Sequence, residues 1–513
     1  MVRNLVLAWS LAALAALLCA LTAPAALGDI TTPMSVQWVF SMGPDPSDVT
    51  PPLVYNDRIY VARDGIVHCL DPLTGAEQWK FQPENRMRVS TGPVPYEKLI
   101  IVGGNDSAVC GLDAATGAVV WKIGCSGPIA PTPLVAGDRL FLGASQMVYA
   151  VKPGTGGVDW ICSMAQAAAY GPVTDGSMIY FVGQDGSVQC IDAAAGRYRW
   201  GTKLVTGPQF SPPVAASGRL IVASGERVYG VARSGGISYT VEMPAAIQAT
   251  PTVVGDRLFT PAVDGKIYVL SARSGASLER RTPYSVDHQL TSPPAVTDST
   301  VIVGSADGLV IAMDRSTGAV KWQYRCRAPD QLPNEGAFHG IYSPIVETDG
   351  AILCLTGSGD LYRFSASAPD ASGPVFGDFE PAAGSAQPGG DYVGTSCSIV
   401  DDGSGVDPAS VKVTVDGSPV KVTFDAATGE AVTEGKPLPD GPHVVRVSAA
   451  DYRGNVSSTE WSFVTDVSII PETAPGTPGQ PGMPTRAGAG MTRPGGGAGR
   501  GAGGAAGAGR GRY

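Results

Sequence analysis

A segment of about 40 residues recurs eight times in this chain, and that self-similarity constrains the fold more than any other feature. One marker is a small residue, then proline, then a short apolar run: Thr50-Pro51, Gly92-Pro93, Thr132-Pro133, Gly171-Pro172, Ser211-Pro212, Thr250-Pro251, Ser292-Pro293 and Ser343-Pro344. The prolines are spaced by 42, 40, 39, 40, 39, 42 and 51 residues. A second marker sets Gly four residues before Trp, as Gly75/Trp79, Gly117/Trp121, Gly156/Trp160, Gly196/Trp200 and Gly318/Trp322. Copies five and six lack this Trp, with Tyr239 near the place in one and Glu279 in the other. In Val301–Trp322 apolar and polar residues alternate with period two on both sides of Asp307-Gly308, a pair suited to a tight hairpin turn. Thr317-Gly318 follows as a second turn, and Trp322 falls in a third strand.

With the run after its proline, each copy offers four short strands, and one such sheet cannot bury both of its faces. Radial stacking into a closed ring solves this and leaves few open edges. The expectation is an all-β chain whose residues 35–366 form an eight-bladed β-propeller. Proline suits the entrance of the innermost strand, where its missing N–H removes no ladder bond. Trp38, Trp79, Trp121, Trp160, Trp200 and Trp322 are then structural, each wedged between neighbouring sheets. Copy eight has no Gly–Trp strand of its own, whereas Val36–Ser41 carries an orphan Trp38, 13 residues before Pro51. Val36–Ser41 is therefore expected to supply the outer strand of the last blade and lock the ring.

The flanks differ in kind. Arg3 and the apolar run Leu5–Leu21, followed by small residues, make 1–28 a signal peptide, with retention as an uncleaved anchor as the alternative. Leu18 directly before Cys19 departs from the lipoprotein pattern, so no lipid anchor is expected. Residues 367–390 are rich in Pro, Gly, Ala and Ser and read as a linker. Val411–Val415, Val420–Phe424, Val444–Ser448 and Trp461–Val464 alternate as strands, which makes 391–466 a second all-β unit, a sandwich. Residues 467–513 lack anchors for a core and read as a disordered Gly/Ala/Pro/Arg tail. Five arginines and no acid in 473–513 leave the rest of the chain at −15, given the overall −10. An acidic body excludes general nucleic-acid binding.

No C-x-x-C pair is present. Cys69 and Cys190 share one position of the repeat and so point into different sheets. Cys125 and Cys162, each just past a Trp strand in consecutive copies, are the one pairing the pattern leaves open. Asp401–Asp407 gathers carboxylates in a Gly-bearing loop but has no defined coordination pattern, so it reads as an ordinary turn and no metal site is expected.

The order Pro-x-Val, strand, Asp-Gly, strand with Leu-Asp, Thr-Gly, Trp resembles the pyrroloquinoline-quinone (PQQ)-type repeat over about residues 35–366. That family holds periplasmic quinoprotein dehydrogenases, which carry PQQ and Ca²⁺, and non-catalytic propellers of the outer-membrane assembly type. Residues 391–466, with Asp402–Val406 and Leu438–His443, are also similar to a bacterial immunoglobulin-like module. Two departures count against the dehydrogenases: there are no adjacent cysteines, and six of seven spacings stay at 39–42 residues, leaving no pocket-building insertions. The resemblance therefore implies a non-catalytic scaffold in the cell envelope, exported to the periplasm or cell surface, with no cofactor. Its expected partner is an envelope or extracellular protein or cell-wall carbohydrate, and the chain is expected to be a monomer. The alternative is a PQQ-dependent dehydrogenase of alcohols or sugars.

Catalytic patterns are thin: four histidines stand outside any metal-binding spacing, and no G-x-S-x-G elbow occurs. One register groups polar residues. Arg88, His288 and His339 each lie five residues before a strand-entry proline, in loops expected at one mouth of the channel. With Asp287 and Glu335 they form the candidate ligand-binding set, since polar loops on a rigid scaffold carry binding.

Overall fold

The computed structural model describes residues 30–43, 50–83, 88–204, 211–278, 284–326, 340–389 and 392–469. The expected signal peptide, Glu279, Glu335 and His339, and the tail from 470 onward lie outside them. The described part is all-β apart from one 3₁₀ turn at Pro408–Ser410.

Eight antiparallel four-stranded sheets appear among the described residues in the order of the repeats. The first is Leu53–Val54, Ile59–Arg63, Ile66–Leu70 and Glu77–Phe81, and the seventh is Ala295–Val296, Thr300–Gly304, Leu309–Asp314 and Val320–Arg325. First strands of successive blades touch one another, as Val94–Tyr96 touches Leu134–Ala136, which in turn touches Ala168–Thr174. That contact places them innermost. The two middle strands of each blade are buried on both faces because neighbouring sheets cover them. Ile59–Arg63 and Leu99–Gly103 are buried at every position, and their sequences read accordingly as continuous apolar runs.

The eighth blade is composite. Val346–Thr348, Ala351–Leu355 and Asp360–Ser365 are completed by Ser35–Ser41, which pairs antiparallel with Asp360–Ser365 from Ser35↔Ser365 to Ser41↔Asp360. Chain start and ring end are thereby joined.

Beyond the ring, two further sheets share one core. The first runs Val375–Glu380, Ser396–Val400, Glu430–Thr433, Val422–Asp425. The second runs Ala386–Pro388, Val456–Asp466, Gly441–Ala450, Lys412–Val415, Ser418–Val420. Ile399, Val413, Val445, Val447, Trp461 and Phe463 fill the space between them. This corrects the linker assignment of 367–390, because Val375–Glu380 and Ala386–Pro388 are strands of these sheets. Val375-Phe-Gly-Asp-Phe-Glu380 alternates like the other strands, but the prolines and glycines around it mask the pattern. The stretch Val420–Phe424, expected as one strand, divides at Lys421: Ser418–Val420 pairs in one sheet and Val422–Asp425 in the other.

Candidate functional site

The outer-strand aromatics make a repeated joint. Trp38 Nε1 donates to Pro72 O at 3.1 Å, Trp79 to Ala114 O at 3.2 Å, Trp121 to Pro153 O at 3.0 Å and Trp200 to Arg233 O at 2.9 Å. Each acceptor belongs to the turn before the outer strand of the next blade. In copy five Tyr239 takes the role, donating to Ala272 O at 3.0 Å, and in copy six Tyr284 donates to Arg315 O at 2.6 Å. The glycine of the repeat has a second use here. A Cβ on Gly75, whose φ is +70°, would stand 2.7 Å from the Trp38 ring, so the ring can lie flat on the turn only if that residue is Gly. The Trp79, Trp121, Trp160, Trp200 and Tyr239 rings lie on Gly117, Gly156, Gly196, Gly235 and Gly275 in the same way.

Blade seven breaks the series. Its neighbour has no turn to offer, because blade eight ends its third strand at Ser365 and borrows its fourth from the chain start. The second domain fills the gap. Trp322 Nε1 donates to Ser404 O at 2.9 Å and Tyr324 OH to Asp402 O at 3.3 Å. A Cβ on Gly405, whose φ is +85°, would stand 3.3 Å from the Tyr324 ring. Asp401 Oδ1 accepts from the N–H groups of Gly403 at 3.1 Å and Gly405 at 2.8 Å, a tight turn similar to that in which Asp71 Oδ1 accepts from Leu73 and Thr74. The loop also reaches the borrowed strand, since Val36 N donates to Gly403 O at 3.0 Å. Arg453 spans the same seam, bonding Ser35 Oγ at 3.1 Å and Ala366 O at 2.5 Å.

Beside this joint lies a small cleft lined by residues of blade seven (Leu309, Gln323, Arg325) and of the sandwich (Asp401, Phe424, Gly429). Arg325 crosses it to donate to Thr428 O at 2.5 Å. The residue pattern gave no warning of this cleft. The only signal was the acidic Gly-bearing loop, which has the turn expected of it and a docking role besides.

Asp370, Asp401 and Asp451 each bring one carboxylate oxygen within 4.8 Å of the others. Ca²⁺ takes six to eight oxygens, and here Asp451 already accepts from Arg453 N, Asn455 N and Asn455 Nδ2. Burial, with the charges of Asp370 and Asp451, pushes the Asp401 carboxyl up to about 6, against the two N–H groups that favour its charge. A carboxyl raised in the fold binds its proton more tightly there than in the unfolded chain. Its contribution to stability is therefore present near pH 4 and lost as pH rises through about 6. Asp401→Asn keeps an acceptor for Gly403 and Gly405 and removes the charge. It is expected to raise stability at pH 7 by roughly 1 kcal/mol after solvent screening, and to leave it unchanged at pH 4. Thermal unfolding at both pH values measures this, and an equal shift at both would refute it.

The residues singled out from sequence fall differently. Arg88 and His288 occupy matching places, each packed against the Asp-Gly turn of the preceding blade, at Gly65 and Gly265 respectively. Arg88 Nη2 donates to Asp64. His288 Nδ1 lies 2.7 Å from Asp307 Oδ2, and that hydrogen bond holds the ring above its ordinary pKa range against the opposing effect of burial. Asp287 is exposed beside it. Arg88 and His288 thus sit on separate inter-blade loops, each bonded to a local carboxylate. The pairing left open for Cys125 and Cys162 is corrected: both are free thiols, packed in different inter-blade cores.

Among the described residues no helix is long and apolar enough to cross a membrane. The family model described as "Outer membrane protein assembly factor BamB" matches residues 63–160, 144–282 and 224–368. The BamB of Burkholderia pseudomallei is 32% identical over 171 residues, 33% of this chain and 34% of that protein. The BamB of Shewanella oneidensis is 25% identical over 319 residues, 56% of this chain and 80% of that one. The crystal structure of BamB from Moraxella catarrhalis shares the fold, with TM-score 0.51 and 16% identity over 65% of this chain and 99% of its own. With residues 63–368 of the eight-bladed ring matched by that model, the chain belongs to the family of the outer membrane protein assembly factor BamB, and stands closer to it than to the quinoprotein dehydrogenases.

Proposed function

We propose that this chain is an exported, non-catalytic scaffold of the cell envelope whose ring presents inter-blade loops to an envelope protein. The observation that carries the reading is family membership over a ring with near-uniform blades, since the relatives are named as outer membrane protein assembly factors. Fold likeness alone would not license it. Residues 1–28 serve as the export signal, and the two-sheet unit, here taken to begin near Val375, acts as an immunoglobulin-like module that accompanies the ring outside the cytoplasm. The contact surface is assigned to the loops bearing Arg88, Asp287, His288, Glu335 and His339. Support comes from exposure: the side chains of Arg88 and Asp64 are 49% and 60% exposed although paired. A surface ion pair of that kind is worth little to the fold, so its charges are available to a partner.

Two measurements test this. Titration of the purified chain with PQQ and Ca²⁺, followed by dye reduction with alcohols and sugars, is expected to show neither binding nor turnover; turnover would overturn the scaffold reading. Envelope extract passed over the immobilised chain is expected to leave a specific protein bound. The double change Arg88→Glu and Asp287→Lys should cut its retention at least tenfold. Undiminished retention would move the contact surface elsewhere.

A further inference from the structure

Four residues past the outer-strand aromatic, most blades turn a side chain into the core shared with the next, blades one and six having Pro83 and His288 at that position instead. Met164 shares a core cluster with Phe181 there, Leu204 shares one with Val222, and Cys125 packs on the cluster that holds Leu142. The partner position is constant: Leu142 and Cys354 each pair across their own blade with a tyrosine, Tyr149 and Tyr362. At the junction of blades seven and eight both positions are cysteine. Cys326 follows Trp322 by four, and it shares one core cluster with Cys354. Both are wholly buried, and the two thiols lie within hydrogen-bonding reach of each other. Elsewhere in the ring at least one of the two positions is Leu, Met, Phe or Val, as Leu142 is opposite Cys125, so no second thiol stands there.

We propose that Cys326 and Cys354 close to a disulfide that staples blade seven to the composite eighth blade. Each Sγ–H loses its proton and an Sγ–Sγ bond forms. The two electrons pass, by way of a mixed disulfide, to a disulfide oxidant such as oxidised glutathione, which leaves as two thiols. Burial first, and then the Cys354 thiol, push the Cys326 thiol well above the usual thiol range, so in the closed ring it is not the reactive thiolate. The bond therefore forms during folding, before the junction seals. An exported location supplies an oxidant in the cell. Only that clause rests on the function proposed above, and the chemistry is tested apart from it.

The full chain is unfolded with its thiols reduced. It is then refolded either with oxidised and reduced glutathione or with a reductant alone, denatured, alkylated and digested without reduction. Mass spectrometry is expected to find one linked peptide joining Cys326 to Cys354 in the oxidised sample, with the other six described cysteines alkylated. Unfolding of the oxidised chain at fixed urea is expected to be at least tenfold slower than that of the reduced chain. The difference should vanish in Cys354→Val, which carries the residue that blade five has at this place. Full alkylation, a link between other cysteines, equal unfolding rates, or a redox effect that survives in the variant would each overturn the proposal. The peptide map of the unaltered chain decides the pairing even if the variant fails to fold.

Discussion

A chain beginning at residue 45 loses its single cooperative unfolding transition. Removing Ser35–Ser41 strips the outer strand from blade eight and withdraws Trp38 from blade one, where its indole lies on Gly75 and bonds Pro72 O. Trp38 is 9% exposed, and deleting a buried Trp alone costs ~3–5 kcal/mol. The shortened chain also leaves Asp360–Ser365 as an open edge, unpaired along a row of buried residues. Calorimetry and near-ultraviolet circular dichroism should show a broad transition and loss of fixed aromatic signals. A sharp transition at the parent midpoint would mean that ring closure does not depend on the first strand.

Trp322→Ala is expected to be the most damaging single change among the outer-strand aromatics, at ~3–5 kcal/mol. Trp322 is 0% exposed, stacks with Tyr324, meets Phe364 edge-on and holds the sandwich through Ser404. Trp200→Ala should cost less, because that ring is only partly buried. Trp322→Phe keeps most of the packing and loses the bond to Ser404 O, so about 1 kcal/mol is expected. Urea unfolding ranks the three, and limited proteolysis between residues 366 and 375 reports whether the sandwich has come loose. Equal costs for Trp322→Ala and Trp200→Ala would deny the docking role of Trp322.

The ring was legible because its signals are local. Proline, Asp-Gly and Gly–Trp recur within one blade, and the orphan Trp38 gave away the borrowed strand by its distance from Pro51. Copy six shows where local reading stops. Its aromatic is Tyr284, well past the position where Gly fixes Trp in the other copies, and its bond to Arg315 O and its packing on Gly318 identify it. Asp401–Gly405 was hidden for another reason. It satisfies its own turn, so nothing in its sequence reports that it also serves Trp322, 82 residues away. Arg88 and His288 are legible as loop polars, yet their partners Asp64 and Asp307 are themselves the aspartates of Asp-Gly turns.

The eighth blade also fixes an order of events. Its parts come from the start of the chain, from residues near 350 and, through the turn at Asp401–Gly405, from the domain that follows. A nascent chain that has reached Arg325 has its first seven blades complete but no way to shut the ring. Blade eight and the capping loop are made afterwards, so the molecule cannot latch until synthesis has passed Gly405.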